Sequence, residues 1–117
     1  MCVDLVSGKT SVYGIIGNPV EKSFSPVLQN TIGREMGFNM VYVPFKVEGG
    51  QVKIAVMGGQ ALDIKGFNVT VPHKIEVMDA LCGIDSVAER IGAVNTLKLT
   101  EKGYVGYNTD IIGLRKC

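Results

Sequence analysis

The chain predicts an α/β fold, a three-layer α/β/α domain with a mostly parallel, mixed sheet and an antiparallel edge. Three observations carry this. Short apolar, strand-like runs alternate with helical apolar spacing along 117 residues, which implies parallel strands joined by crossover helices. Fifteen glycines, many between those runs, imply short elements joined by tight turns. Near the end, the strand-like segments 93–99 and 104–107 are separated by Glu101-Lys102-Gly103, a hairpin and hence an antiparallel pair.

Each element has a local reason. Residues 11–16, SVYGII, read as a buried strand stopped by Gly17-Asn18-Pro19. Ser25 then Pro26 opens a helix, with serine as cap and proline at the first helical position. Val27, Leu28, Thr31, Ile32 and Met36 give it a broad apolar face, and Gly37 closes it. Residues 41–46, VYVPFK, form a second strand, which Pro44 confines to an edge or an irregularity. From Gln51 to Leu62, the positions Val52, Ala55, Val56, Gly59 and Leu62 recur at helical spacing, with Gly58-Gly59 weakening the end. Residues 64–69, IKGFNV, form the third strand. Thr70-Val71-Pro72 then turns into a helix with Ile75, Met78 and Cys82 on one face. A short helix over 85–91, capped by Asp85 or Ser86, precedes the hairpin, and a last helix runs over 109–116.

Composition narrows the function. A net charge of +1 and 46% apolar residues fit a folded domain and exclude a disordered chain. Lys and Arg are few and scattered, so nucleic acid is not the partner. No apolar run approaches the roughly 18 residues of a membrane span, and the start lacks a signal-peptide core. Cys2, Cys82 and Cys117 are odd in number and far apart, which points to a reducing, cytoplasmic setting. One histidine, His73, read as a partly exposed helix residue, leaves no metal site and no Ser-His-Asp arrangement. The pattern G-x-G-x-x-G is absent from 12–20, so no dinucleotide loop follows the first strand.

Polar clusters sit at strand ends: Ser23-Phe24-Ser25, Asn68-Val69-Thr70 with Lys74, and Asn108-Thr109-Asp110. Asn95-Thr96 lies inside an apolar strand. Open α/β sheets bind ligands outside the carboxyl ends of their strands. Lys74 falls in the first turn of an expected helix, where the helix dipole disfavours positive charge and favours a neutral amine able to take a proton. Asp110 could pair with it. Short neutral groups such as Ser23, Ser25, Asn68, Thr70 and Asn95 suit a small polyhydroxylated ligand. Each residue also has a plain structural reading. Ser25 and Thr70 can cap helices, and Asn68 and Asn95 can bond strand-end backbone. Lys74 can be a surface lysine and Asp110 an ordinary helix-start residue. The residues alone establish an α/β domain with a strand-end polar pocket.

The clusters also lie in larger motifs. They are Gly14-Ile15-Ile16-Gly17-Asn18-Pro19, Ser23-Phe24-Ser25-Pro26 with Asn30, and Gly66-Phe67-Asn68-Val69-Thr70-Val71-Pro72-His73-Lys74. Ile91-Gly92-Ala93-Val94-Asn95-Thr96-Leu97 and Gly106-Tyr107-Asn108-Thr109-Asp110-Ile111-Ile112-Gly113 complete the series. In this order they resemble the amino-terminal, substrate-binding domain of the shikimate dehydrogenase family, over residues 11–113. The resemblance implies one substrate-binding domain over 1–117, with the family's NADP-binding Rossmann domain absent. It implies reversible reduction of 3-dehydroshikimate to shikimate with NADP, on the route to chorismate and the aromatic amino acids. By the same resemblance Lys74 and Asp110 match the catalytic pair, and Ser23 and Ser25 match the holders of the substrate carboxylate. Asn68, Thr70, Asn95 and Thr109 match the ring-hydroxyl contacts. Lys22 and Gln29 stand where the family usually has histidines, which touches the choice between shikimate and quinate. Two expectations follow: the chain alone is inactive and binds shikimate weakly, and an exposed apolar patch left by missing packing favours a homo-oligomer. The competing readings are a stand-alone, non-catalytic binding module for shikimate or quinate, and a domain that kept the fold and lost the function.

Overall fold

In the computed structural model, which describes residues 6–20, 25–70 and 73–109, the first apolar run forms strand β1 (Ser11–Gly17). Helix α1 (Ser25–Glu35) follows and returns the chain to strand β2 (Met40–Lys46). The two strands pair in parallel from Ser11 opposite Met40 to Gly17 opposite Lys46. Helix α2 (Val52–Ala61) then carries the chain across to strand β3 (Gly66–Val69), parallel to β1 on its other side. β2 is therefore an edge strand, which is where Pro44 can be tolerated.

The second half is more compressed. A five-residue 3-10 helix (Glu76–Ala80) leads to strand β4 (Gly83–Ile84) and helix α3 (Ser86–Ile91). The hairpin strands β5 (Thr96–Thr100) and β6 (Gly103–Tyr107) follow. The sheet order is β2-β1-β3-β5-β6-β4. β5 runs antiparallel to both β3 and β6, and β4 adds in parallel beyond β6. The sheet is mixed and mostly parallel, as expected, but the antiparallel strand β5 lies inside it and not at an edge, because the very short β4 pairs in parallel outside the hairpin. Asp85 caps α3, its Oδ2 accepting the Val87 N–H at 3.1 Å, and Gly92 ends it at φ 81°.

Strand alternation sends Ile16, Phe67, Val69, Leu97 and Tyr104 to one side of the sheet. There they meet Val52 and Val56 of α2, with Val77, Ala88 and Val94. Each such aliphatic or aromatic side chain stabilises the fold by roughly 1.5–3 kcal/mol when fully buried. Tyr104 adds a hydroxyl that donates to the Ile64 carbonyl. The other side of the sheet carries Ile15, Tyr42, Asn68 and Thr96, and α1 lies over its β2 end.

Three local expectations need correction. The apolar stripe of α1 does not face the sheet: Val27 is 67% exposed, Leu28 57% and Met36 62%. The helix instead approaches through Gly33, where an added Cβ would lie 2.9 Å from the Met40 sulfur. Asn30 also faces the sheet, its amide accepting from Tyr42 N at 2.8 Å and donating to Tyr42 O at 2.9 Å. Close approach and backbone hydrogen bonds to an edge strand replace apolar packing there. After residue 72 the chain forms a turn and a 3-10 helix, not an α-helix, and Ile75 and Cys82 are exposed while Val77 is buried. His73 is wholly buried. Its Nε2–H donates to the Val47 carbonyl, which anchors the turn to the end of β2. The last helix, beyond Thr109, lies outside the described residues.

Candidate functional site

The carboxyl ends of β1 and β3 lie side by side because the two strands are parallel neighbours. The Thr70 N–H donates to the Ile16 carbonyl at 2.9 Å, so the segment leaving β3 stays against the end of β1. Val69 N donates to the Asn95 carbonyl at 2.8 Å, and Val94 N donates to the Lys74 carbonyl at 3.0 Å. These two bonds hold Val69 and Lys74 against Asn95 and Val94. The Asn95 N–H in turn donates to the Tyr107 carbonyl at 2.9 Å, which draws in the end of β6 and the Asn108-Thr109 segment. The Asn108 amide donates to the Ala93 carbonyl at 3.1 Å.

The side chains join in one direction. The Thr109 N–H can only donate, and it meets Asn95 Oδ1 at 3.0 Å. That fixes the Asn95 amide. Thr96 Oγ1 lies 2.9 Å from the same oxygen and must also donate. With its proton spent, Thr96 Oγ1 accepts from Asn68 Nδ2 at 3.5 Å. Asn68 Oδ1 then accepts from the Tyr42 hydroxyl at 2.7 Å. Thr109 Oγ1 adds a further donor to Asn95 Oδ1 at 3.3 Å. Both amide oxygens are thus consumed inside the protein. Both NH2 groups keep N–H donors that meet no acceptor among the described residues, and the Thr70 hydroxyl likewise makes no hydrogen bond there. Thr70 is therefore not a helix cap in the described structure.

Lys74 is half-buried, in the turn between His73 and the 3-10 helix. The α-helix dipole expected to act on it is not supplied, because no α-helix starts there. Ser25 is the first residue of α1 and half-buried. Since α1 returns the chain between two parallel strands, its start belongs at the carboxyl end of β1. The structure thus gathers Asn68, Thr70, Lys74, Asn95 and Thr109 in one hydrogen-bonded region and puts Ser25 at the same end of the sheet. Ser23 and Asp110 lie outside the described residues, though Asp110 directly follows Thr109. The sequence reading missed Tyr42. Burial pushes its phenol up to about 12, so it stays protonated and a donor. Period-two alternation was the available signal, but only the order β2-β1-β3 shows which strand it reaches across.

The arrangement offers amide and hydroxyl donors at the end of the sheet where the Lys74 backbone is also held, which suits a small hydroxylated acid. Among the described residues no group of His, Cys, Asp and Glu could hold a metal. No helix there is long and apolar enough to cross a membrane. Gly14 of β1 does not form a phosphate cradle. At Gly14 the place of a Cβ is taken by the Phe45 ring and the Val43 carbonyl, so this glycine serves strand packing.

Comparison with known proteins gives a consistent result. The family model for the shikimate dehydrogenase substrate binding domain matches residues 15–97. Shikimate dehydrogenase (NADP(+)) of Methanocaldococcus jannaschii is 50% identical over 111 residues, covering 95% of this chain and 39% of that protein. A crystal structure of shikimate dehydrogenase in complex with NADP+ superposes with a TM-score of 0.92 at 50% identity, over 96% of this chain and 39% of that one. The shikimate 5-dehydrogenase of Listeria monocytogenes, in complex with shikimate and NAD, superposes with a TM-score of 0.93 at 30% identity. There 98% of this chain and 40% of that one are covered. The chain spans about two fifths of the length of these relatives.

Proposed function

The chain belongs to the family of shikimate dehydrogenase substrate-binding domains, and from that premise we propose that residues 1–117 form the shikimate-binding and acid–base half of an NADP-dependent shikimate dehydrogenase. The observation that carries this is the hydrogen-bonded convergence of Asn68, Thr70, Lys74, Asn95 and Thr109 at one end of the sheet. In this reading Ser23 and Ser25 hold the substrate carboxylate at the start of α1. The NH2 groups of Asn68 and Asn95 and the hydroxyls of Thr70 and Thr109 bind the ring hydroxyls. Lys74, paired with Asp110, removes the proton from the reacting hydroxyl in one direction and returns it to the oxygen in the other.

The residues described supply the proton side of the reaction only. They do not fit a dinucleotide, since β1 lacks a glycine-rich phosphate loop and Gly14 is spent on packing. In this reading NADP needs a holder besides the described residues, and these 117 residues alone do not turn over. The setting is cytoplasmic, on the route to chorismate and the aromatic amino acids.

A chimera tests the reading. These 117 residues replace the matching segment of the M. jannaschii relative, and shikimate-dependent reduction of NADP+ is measured. The chimera is active, Lys74→Met lowers kcat by about 10²–10⁴-fold, and the isolated chain gives no turnover. A chimera that folds and binds NADP+ yet ignores shikimate refutes the assignment.

A further inference from the structure

We propose that Tyr42 is a positioning residue for the ligand site, acting through Asn68 to fix which end of that amide faces the ligand. The proposal rests on the reading of Asn68 as a ligand contact. Tyr42 sits on the edge strand β2 and Asn68 two strands away on β3, with β1 between them. Two strand spacings are about 9.6 Å, a gap that the long phenol bridges from one side and the amide from the other. Their contact is short, 2.7 Å from the Tyr42 hydroxyl to Asn68 Oδ1, and Tyr42 is only 5% exposed.

The direction of this bond follows from the far end of the network. The Thr109 N–H sets Asn95, Asn95 sets Thr96, and Thr96 accepts from Asn68 Nδ2. The bond to Thr96 is long at 3.5 Å, so it holds Asn68 weakly. Tyr42 supplies the strong constraint at the other end of the same amide. With both in place, Asn68 presents N–H and not C=O to the cleft, which selects a ligand atom that accepts a hydrogen bond.

Tyr42 is itself held. Asn30 of α1 grips its backbone at both N–H and C=O, at 2.8 and 2.9 Å. α1 begins with Ser25, about 1.4 helical turns before Asn30, so the helix start and the Asn68 amide are tied to one residue of β2. Phenylalanine at 42 keeps the buried ring and removes only the donor.

The test uses the 117-residue chain labelled with 15N, in wild type, Tyr42→Phe, Asn68→Ala and the double variant. Without ligand, Tyr42→Phe shifts the Asn68 side-chain NH2 signals and leaves the backbone fingerprint of α2 and β5 in place. With shikimate, Tyr42→Phe weakens affinity about 3–10-fold, the loss of one ordinary hydrogen bond. In the Asn68→Ala background the same change has no further effect, because Tyr42 acts only through that amide. Unmoved Asn68 NH2 signals overturn the proposal, and so does an equal loss of affinity in the two backgrounds. If wild type binds no shikimate, the functional reading falls, while the NH2 signals still decide the role of Tyr42.

Discussion

Helix α2 carries two adjacent glycines whose replacement by alanine has opposite effects. Gly58 faces open space, with nothing within 4 Å of an added Cβ. Gly58→Ala removes the entropic penalty of a helical glycine and stabilises the chain by about 0.5–1 kcal/mol. Gly59→Ala has the same helical gain, but its Cβ would lie 2.8 Å from two atoms of the Phe67 ring and 3.1 Å from the Tyr104 hydroxyl oxygen. Neither ring can retreat easily. Phe67 is 5% exposed, with its ring centroid 5.4 Å from Tyr104 and 6.0 Å from Phe45, and the Tyr104 hydroxyl is fixed to the Ile64 carbonyl. Overpacking of this kind costs about 1–3 kcal/mol, which outweighs the helical gain. The two variants should therefore differ by about 1–3 kcal/mol, or roughly 3–12 °C in Tm for a domain of this size. Urea unfolding followed by far-UV circular dichroism measures it. Equal stabilisation by both alanines would refute the close packing of α2 on β3, the strand that carries Asn68.

Other outcomes follow from buried polar groups. Burial pushes Tyr42 up to about 12; Tyr104 reaches about 12 by burial and, less, by the charge of Asp63. A phenol whose folded value is raised from about 10 contributes stability that is whole below pH 10 and lost as pH climbs toward 12. Urea midpoints between pH 10 and 12 should fall less steeply in Tyr42→Phe/Tyr104→Phe than in wild type, and parallel slopes would contradict this. His73→Ala opens a cavity and leaves the Val47 carbonyl unpaired, at a cost of about 2–4 kcal/mol. Because His73 anchors the turn holding Lys74, hydrogen exchange at the Val94 N–H, which bonds the Lys74 carbonyl, should also accelerate.

Local chemistry made much of the fold legible. The run at 11–16, the proline-marked edge strand, the spacing of Val52, Val56 and Gly59, the Asp85 cap and the hairpin after Glu101 are set by nearby residues, and all are found. The misses depend on partners distant in sequence. A two-residue strand such as β4 has no periodicity to detect. His73 is buried because the Val47 carbonyl, 26 residues earlier, needs a donor. The apolar stripe of α1 is visible in the local spacing, but it faces away from the sheet. Which side meets the sheet was decided by Gly33 against Met40 and Asn30 against the Tyr42 backbone. At the site, strand-end position identified Asn68, Thr70 and Thr109 as candidates, and a polar pair within an apolar run identified Asn95. The polarity of their amides became legible only when the Thr109 N–H was seen to meet Asn95.

The ligand site is tested most directly by titrating shikimate into the 15N-labelled chain and mapping the amide shifts. The account predicts changes at Asn68, Thr70, Lys74, Asn95 and Thr109, at millimolar ligand if need be. No changes at that concentration, or changes confined to the opposite end of the sheet, at the 410 Å³ cleft beside Ser11, Tyr13 and Phe38, would contradict it.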